Sequence, residues 1–316
     1  MFSLRRDQRK IPAAVLKSHT AREEGAFLSQ YPNLRRTPKK KREEIKELVQ
    51  VRLMVRCLPV PSMVDVVWDQ KSGILTFFSL GSNAIERFED IFRKGFEGLH
   101  PLVVHPFARA RMLLEGQLLD KLEAANQANS DSAVALVRDN QWIGWDFLLW
   151  ILQRGLNGEG EYPVCRAGHF SSGERFSAWI DDRIQLQGGS EDGGIQKVSV
   201  SGSQDNYLEA ISAVKGGKKI TSATIYLEKD ENQWKLTLKG ETFGFASLKC
   251  PQIRIERDNT VEETSEREAA FYERMYLLEQ GLQLFDSLFK TFLQERLSDN
   301  WNERLVTIQQ WLEVKQ

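Results

Sequence analysis

Four aspartates could support hydrolytic chemistry, because each lies near the end of a predicted strand: Asp65, Asp69, Asp181 and Asp182. A metal-dependent nuclease needs clustered carboxylates that hold one or two Mg²⁺ ions around the scissile phosphate. The spacing of these four residues does not indicate that their side chains converge, and acidic residues at strand ends are usually solvated. We therefore predict that the chain is not an enzyme and has no catalytic residue, with a metal-dependent exonuclease as the alternative.

The histidines and cysteines do not show the spacing of a metal site. They are His19, His100, His105, His169, Cys57, Cys165 and Cys250. Taken together, their separations do not match a zinc-ligand pattern, and the Gly-Gly-Lys-Lys segment at 216–219 lacks the form of a phosphate-binding loop. The sequence predicts neither a metal site nor a cofactor. It predicts that His105, beside Pro106, is a hydrogen-bonded structural residue.

Basic residues form the densest chemical pattern, and we predict that they bind the phosphates of DNA. The candidates fall into two clusters: Arg5, Arg6, Arg9 and Lys10, and then Arg35, Arg36, Lys39, Lys40, Lys41 and Arg42. Runs of Lys and Arg often lie on solvated helix starts, and Glu43, Glu44 and Glu47 can neutralise part of the second cluster. Neither a sequence-reading DNA helix nor an aromatic RNA-binding signature is visible.

Charge is divided unevenly along the chain. Residues 1–60 contain fifteen Lys/Arg against six Asp/Glu, although all 316 residues together have a net charge of −1. Such clustering raises the local electrostatic potential and suggests a polyanionic partner. The three separated cysteines fit a reducing compartment. Because no apolar run approaches the ~20 residues that span a bilayer, the sequence predicts a cytoplasmic protein with no membrane partner.

The pattern of apolar residues predicts an α+β fold. One helix is predicted over Ala13–Leu28, and a second ends before Pro59 because the residue preceding a proline disfavours helix. A β-turn-β-α-β unit follows. Its first strand contains Trp68, its second strand covers Ile74–Leu80, and Leu102–Val104 forms its last strand after a helix with apolar residues at three- and four-residue spacing.

The remaining chain is predicted to contain a helical middle, a second antiparallel β region and long C-terminal helices. Residues 107–154 are predicted helical, with breaks at Ser130-Asp131 and around Gly144. Eight glycines between 158 and 194 indicate a linker or a set of long loops. These patterns divide the chain into a basic α+β subdomain, a helical segment, a β-rich subdomain and C-terminal helices. The predicted bounds are 1–106, 107–157, 158–260 and 261–316.

Two apolar patterns in the second half indicate buried faces. Trp234, Leu236 and Leu238 alternate with polar residues in a predicted hairpin strand. The last long helix has a heptad stripe of large apolar residues: Phe271, Met275, Leu278, Leu282, Phe285, Phe289 and Phe292. This stripe could form a dimer seam or a protein-interaction surface. Additional leucines widen it, which favours a helix packed into the core of its own chain.

Several segments, best over residues 41–106, resemble the bacterial recombination-associated protein RdgC family. The resembling residues are Lys46-Glu47-Leu48, Leu58-Pro59, Val66-Val67-Trp68-Asp69, Ser72-Gly73-Ile74-Leu75, Glu86-Arg87-Phe88-Glu89-Asp90, Gly98-Leu99-His100-Pro101-Leu102-Val103-Val104, Trp145-Asp146-Phe147-Leu148-Leu149-Trp150 and Arg274-Met275. The resemblance implies a nucleoid-associated protein that binds duplex DNA without sequence preference. It further implies a homodimer that closes into a ring around DNA and limits RecA-promoted recombination.

Two departures from the family qualify this implication. The segment between Pro59 and Trp68 is shorter than in better-known members, which puts the antagonism of RecA in doubt. Family members also carry further strands before the segment that resembles Phe2–Pro12, so this sequence is expected to begin inside the domain. A missing strand would leave an exposed sheet edge, and we expect the ring to close poorly.

Overall fold

The computed structural model describes residues 1–189, 194–202, 207–253 and 263–314. The chain forms two compact units, Met1–Pro101 and Leu102–Gln316. Each unit combines helices with an antiparallel sheet, and long helices end the chain, so the predicted α+β class is confirmed. The first unit ends at Pro101, and the predicted segments 107–157, 158–260 and 261–316 all lie in the second unit.

The first unit contains two long helices inserted between strands. Its elements are β1 (Phe2–Gln8), α1 (Ala13–Gln30), α2 (Lys39–Arg56), β2 (Val60–Asp69), β3 (Ile74–Phe77) and α3 (Ser82–Gly95). The predicted helix over Ala13–Leu28 is confirmed, as is the end of the second helix before Pro59. Proline before each of the two long helices, at positions 12 and 38, favours the extended backbone that precedes a helix start.

The sheet of the first unit has the strand order β1-β2-β3, and both pairings are antiparallel. In the first pairing Phe2 lies opposite Val66 and Gln8 lies opposite Val60. The predicted last strand at Leu102–Val104 is wrong, because this segment has no strand pairing and the third strand comes from the chain start. Side chains of Leu102 and Val103 are exposed, so apolar character alone misidentified them as a strand.

Aromatic rings form the small core of the first unit. Val66, Phe88 and Phe92 are buried between the sheet and α3. Phe77 and Phe88 stack with ring centroids 4.7 Å apart, and Phe2 stacks on Phe88 at 6.4 Å. The three- and four-residue spacing on α3 therefore reflects core packing against the strands.

The second unit surrounds one larger core. Its described elements are α4 (Pro106–Leu113), α5 (Gly116–Ala124), α6 (Ala133–Asp139), α7 (Trp142–Leu156), β4 (Glu161–Pro163), β5 (Arg175–Gly189), β6 (Ile195–Ser201), α8 (Leu208–Lys215), β7 (Lys219–Lys229), β8 (Asn232–Lys239), β9 (Gly244–Lys249), α9 (Glu263–Arg296) and α10 (Trp301–Val314). The predicted break at Ser130-Asp131 is confirmed. The glycine-rich stretch 158–194 contains β4 and β5, so it is not a linker throughout, and residues 190–193 lie outside the described ranges.

A six-stranded antiparallel sheet forms the centre of the second unit. Its order is β4-β5-β7-β8-β9, and β6 pairs with the far end of β5. The predicted hairpin is confirmed, because Lys229 pairs with Asn232 and β7 lies along β8. Trp234, Leu236 and Leu238 are all buried, as their alternation predicts.

The predicted helix break around Gly144 lies a few residues earlier, at Asn140-Gln141 between α6 and α7, and α7 itself runs through Gly144. A Cβ atom at Gly144 would lie 1.9 Å from the carbonyl oxygen of Gly240. Glycine here allows the helix backbone to approach the end of β8 closely. The need for glycine at position 144 therefore comes from close packing of α7 on the sheet and not from a break in the helix.

The C-terminal stripe on α9 belongs to the core of its own chain. Phe285, Phe289 and Phe292 are fully buried, and all three rings lie within 6.0 Å of the Phe147 ring of α7. This confirms the interpretation of the stripe as an intrachain core surface over this part of the helix. The dimer-seam alternative is not supported there, since buried rings cannot contact a partner.

Candidate nucleic-acid interface

The first turn of α2 concentrates positive charge at a helix N-terminus. Residues 39–42 are Lys-Lys-Lys-Arg, they follow Pro38, and the turn contains no acidic residue. A helix N-terminus already carries a partial positive charge from its aligned peptide dipoles. Four cations at this position oppose the dipole, and a bound anion would relieve the repulsion.

Two of these four cations are engaged within the α1–α2 hairpin. Arg42 donates two hydrogen bonds to Glu24, at 2.9 and 3.3 Å, and this pairing raises the pKa of the Arg42 guanidinium. Lys41 donates to Glu44 at 2.9 Å, which lowers the pKa of that carboxyl. The ammonium of Lys41 also lies 5.9 Å from the centre of the Phe27 ring. These two side chains help to hold the hairpin together.

The other basic residues near this turn are exposed and form what we call the tip patch: Arg35, Arg36, Lys39 and Lys40. They lie in the connection between α1 and α2 and in the first turn of α2. Among the residues that the structure describes, no carboxylate oxygen lies within the 4.0 Å ion-pair distance of their charged groups. The tip patch is therefore the part of the predicted cluster that has cations available for an external anion.

The first predicted cluster lies around the end of β1, and we call it the strand patch: Arg5, Arg6, Arg9 and Lys10. Arg5 pairs with Asp7 at 3.0 Å. Arg9 donates to the backbone carbonyl oxygen of Met54 at 3.4 Å, which places it near the C-terminal end of α2. Arg6 is half-buried on the sheet face that also carries Phe2 and Leu4.

The two patches lie near opposite ends of α2 and do not merge into one site. Lys40 and Met54 are fourteen residues apart on this helix, which corresponds to about 21 Å at 1.5 Å per residue. One turn of duplex DNA extends about 34 Å. The ten predicted residues all lie in the first unit. The distance from Lys40 to Met54 along α2 is shorter than one turn of duplex.

The candidate carboxylates for metal chemistry have other partners. Asp65 accepts a hydrogen bond from Ser3, and Asp181 accepts one from Tyr207. Hydrogen bonds from Ser72 and the Lys71 backbone lower the pKa of Asp69 in its turn. Asp182 accepts hydrogen bonds from Lys235 and Tyr226. Within the described ranges, no three His, Cys, Asp or Glu side chains are grouped to hold a metal ion.

Sequence reasoning identified the histidine beside α4 and Glu44, the partner of Lys41, correctly, but it missed Glu24, the partner of Arg42. His105 Nδ1 accepts a hydrogen bond from the Ala108 backbone at 3.4 Å, and burial lowers the pKa of this imidazole. Its structural role is confirmed. Glu24, which neutralises Arg42, is eighteen residues away in sequence. Helical pair rules cover separations of three or four residues, so they could not reveal this contact.

No helix in the described part of the chain is both long and apolar enough to cross a bilayer. Comparison of the sequence with protein-family models gives no match. A comparison with curated proteins also gives none. The charges and contacts of this chain are therefore the basis on which its function is proposed.

Proposed function

We propose that this protein binds duplex DNA through the phosphate backbone, without sequence preference. The tip patch is the observation that carries the proposal: exposed cations lie at a helix N-terminus, and none of them is within the 4.0 Å ion-pair distance of a described carboxylate oxygen. Each phosphate contact releases condensed counterions, which favours binding independently of base sequence. The unit that contains the tip patch has nineteen Lys/Arg and twelve Asp/Glu, whereas the second unit has twenty-four and thirty-two.

Contacts with phosphates suit the geometry better than contacts with base edges. The tip patch has Lys and Arg at the end of a hairpin, and its exposed residues include no Asn or Gln pair for recognition of adenine. The strand patch lies about 21 Å away along α2. Two separated basic patches can position a duplex through its backbone while no side chain reads the sequence.

The biological setting of the proposal comes from the family resemblance. Residues 41–106 support a protein of the RdgC type, a nucleoid-associated homodimer that forms a ring and limits RecA-dependent recombination. The contacts of this chain support DNA binding but do not bear on RecA. We propose no catalytic activity, because no three His, Cys, Asp or Glu side chains of the described residues are grouped to hold the metal ion that a metal-dependent nuclease needs.

The decisive experiment measures duplex affinity against salt for the native chain and a tip-patch variant. We expect log K to fall linearly with log salt, at a slope of about −0.9 for each phosphate contact. Lys39→Glu with Lys40→Glu should reduce the size of that slope by about two and weaken binding equally for unrelated duplex sequences. Fluorescence anisotropy with two labelled duplexes of different sequence would measure both effects.

A matched variant carries Lys239→Glu and Lys249→Glu, which reverse two exposed lysines of the second unit. This control should leave the slope close to that of the native chain. A native affinity that does not change with salt would contradict phosphate binding. If the control variant lost as much duplex affinity as the tip-patch variant, the binding site could not be assigned to the tip patch.

A further inference from the structure

An open groove in the second unit lies where α6 meets α7. Its volume is about 400 Å³, and its lining is formed by Gln127, Asn129, Arg138, Asp139, Gln141, Trp142 and Trp145. Two indole rings and three carboxamides in one concave surface form a combination that binds planar polar rings. This groove is separate from both basic patches, which lie in the first unit.

A buried polar network holds the loop on one side of the groove. Asn140 is 2% exposed, and its side-chain oxygen accepts hydrogen bonds from the Gln127 backbone at 3.1 Å and from the Trp142 indole at 3.2 Å. Its amide nitrogen donates to the Asn126 side chain at 2.7 Å. Because Asn140 joins the loop to α7, the backbone at Gln127 and the ring of Trp142 are positioned before any ligand arrives.

Both indole rings also contact residues that are not part of the groove lining. The guanidinium of Arg296 lies 4.5 Å from the centre of the Trp142 ring, and Asp146 fixes that guanidinium through a 2.9 Å hydrogen bond. The indole nitrogen of Trp145 donates to Glu241 at 3.3 Å. The two indole nitrogens therefore have partners in the protein, and the rings contribute apolar surface to the groove.

The charges of the lining favour a neutral ligand. Arg138 and Asp139 pair with each other through two hydrogen bonds, at 2.6 and 2.9 Å, so their charges cancel locally. Carboxamides both donate and accept hydrogen bonds, as the edges of nucleobases do. Indole rings stack on bases of any sequence.

We propose that this groove binds an unpaired nucleobase, at a single-stranded stretch or a strand end of the DNA. The inference rests on the proposed function, DNA binding. It adds a contact that forms only where an unpaired base is present. A neutral sugar ring also stacks on indole, but a protein that binds DNA meets bases as part of its own ligand. The chemistry required is an aromatic ring with hydrogen-bonding edges and no charge.

Photocross-linking with a twelve-nucleotide single strand containing one 5-iodouracil tests the location. We expect the cross-linked peptide to contain Trp142 or Trp145, as identified by mass spectrometry. Affinity should fall about tenfold when the same strand carries abasic sites, because the charge is unchanged while stacking is lost. A cross-link elsewhere, or equal affinity for the abasic strand, would overturn the proposal.

Variants separate loss of the groove from loss of the fold. Asn129→Ala and Gln141→Ala remove two carboxamides at the surface, and together they should weaken binding of the base-containing strand at least threefold while leaving abasic binding unchanged. Gln310→Ala, on the exposed side of α10, is the matched control. Trp145→Phe tests the ring, with circular dichroism to verify folding.

The outcomes distinguish this inference from the proposed function. The Lys39→Glu and Lys40→Glu variant should bind phosphates more weakly yet still cross-link 5-iodouridine as a free nucleoside at millimolar concentration. If phosphate binding is intact and no base-dependent effect exists, only the groove assignment fails. Quenching of Trp fluorescence by N-acetylglucosamine but not by nucleosides would identify a sugar site and overturn the assignment to bases.

Discussion

At the residue scale, Gln153 is among the described buried side chains that lack a hydrogen-bond partner. Gln153 of α7 is fully buried, and neither its side-chain oxygen nor its nitrogen has a hydrogen-bond partner among the described residues. An unsatisfied buried polar group costs about 1–3 kcal/mol. Gln153 is thus a weak point inside a helix that is otherwise strongly apolar.

We expect Gln153→Leu to raise the free energy of unfolding by about 1–2 kcal/mol, since leucine fills a similar volume without polar atoms. Urea unfolding followed by circular dichroism would measure the change. Gln310→Leu, at an exposed position of α10, should change stability by less than about 0.5 kcal/mol. A destabilised Gln153→Leu protein would instead indicate a buried water that bonds the amide.

Asp182 combines an unusual backbone conformation with strong polar contacts. Its φ angle is 64°, in the left-handed region, at a point where the pairing of β5 with β7 is interrupted. Hydrogen bonds from Lys235 and then from Tyr226 lower the pKa of its carboxyl below the ordinary value of 3.8. Asn tolerates the left-handed region nearly as well as Asp, so Asp182→Asn isolates the charge.

A lowered pKa in the folded state means that the carboxylate stabilises the protein above pH 3.8 and that this contribution is lost as pH falls through the folded pKa. Asp182→Asn should therefore be less stable than the native chain at pH 6, and the difference should shrink below about pH 4. Urea titrations from pH 3 to 7 measure this. Asp120→Asn, an exposed change on α5, controls for the loss of a surface charge. A difference that grows towards acid pH would contradict the assignment.

At the element scale, glycine sets how closely α7 and α9 approach the sheet. Gly144 meets the backbone of Gly240, and a Cβ atom at Gly281 would lie 2.6 Å from the Trp234 ring. Alanine normally stabilises a helix interior relative to glycine by about 0.8–1 kcal/mol. At these two positions the steric cost exceeds that preference, because the opposing atoms belong to backbone or to a buried ring.

Gly144→Ala should lower the free energy of unfolding by about 3 kcal/mol, through displacement of α7 from the end of β8. Gly155→Ala lies in the same helix, where an added Cβ would meet Trp179 at an ordinary 3.7 Å. That control should be neutral or stabilising by up to about 1 kcal/mol. If the two substitutions changed the thermal unfolding equally, the close approach of Gly144 to Gly240 would not determine the stability cost of a Cβ atom.

At the scale of the whole molecule, the first unit combines its positive charge with an exposed apolar face. Leu48, Val51 and Val55 lie at three- and four-residue spacing on α2, and they are 57%, 67% and 72% exposed. Contiguous exposed apolar residues on a helix usually mark an interaction surface. The proposed homodimer would give this face a partner.

If the α2 face mediates self-association, Val51→Glu with Val55→Glu should weaken the dimer at least tenfold, because each buried valine contributes about 1.5 kcal/mol or more. Sedimentation equilibrium over a range of concentrations would give the dissociation constants. Val134→Glu changes a valine of the second unit that is 77% exposed and should leave association unchanged. A native chain that remains monomeric at every concentration would contradict the dimer. If the double variant dimerises as the native chain does, the interface lies on another surface.

Local patterns in the sequence identified most individual elements. The α1 helix, the end of α2, the β7–β8 hairpin and the buried stripe of α9 all follow from the spacing of apolar residues and prolines, which acts over a few residues. Local rules failed where the cause was distant. Gly144 was interpreted as a break because its contact with Gly240 is ninety-six residues away, and Leu102–Val104 was assigned as a strand although β1 is the third strand.

The sequence by itself determined the α+β class and the concentration of positive charge near the start of the chain, because composition and periodicity are properties of neighbouring residues. Only the tertiary structure decided which cations remain unpaired: it brings Glu24 to Arg42 and leaves Lys39 and Lys40 exposed. It also separated the eight basic residues of the tip patch and the strand patch, since an eighteen-residue helix is rigid and holds its ends apart. The indole groove likewise depends on Asn140, whose hydrogen bonds join a loop to α7 in a way that spacing does not reveal.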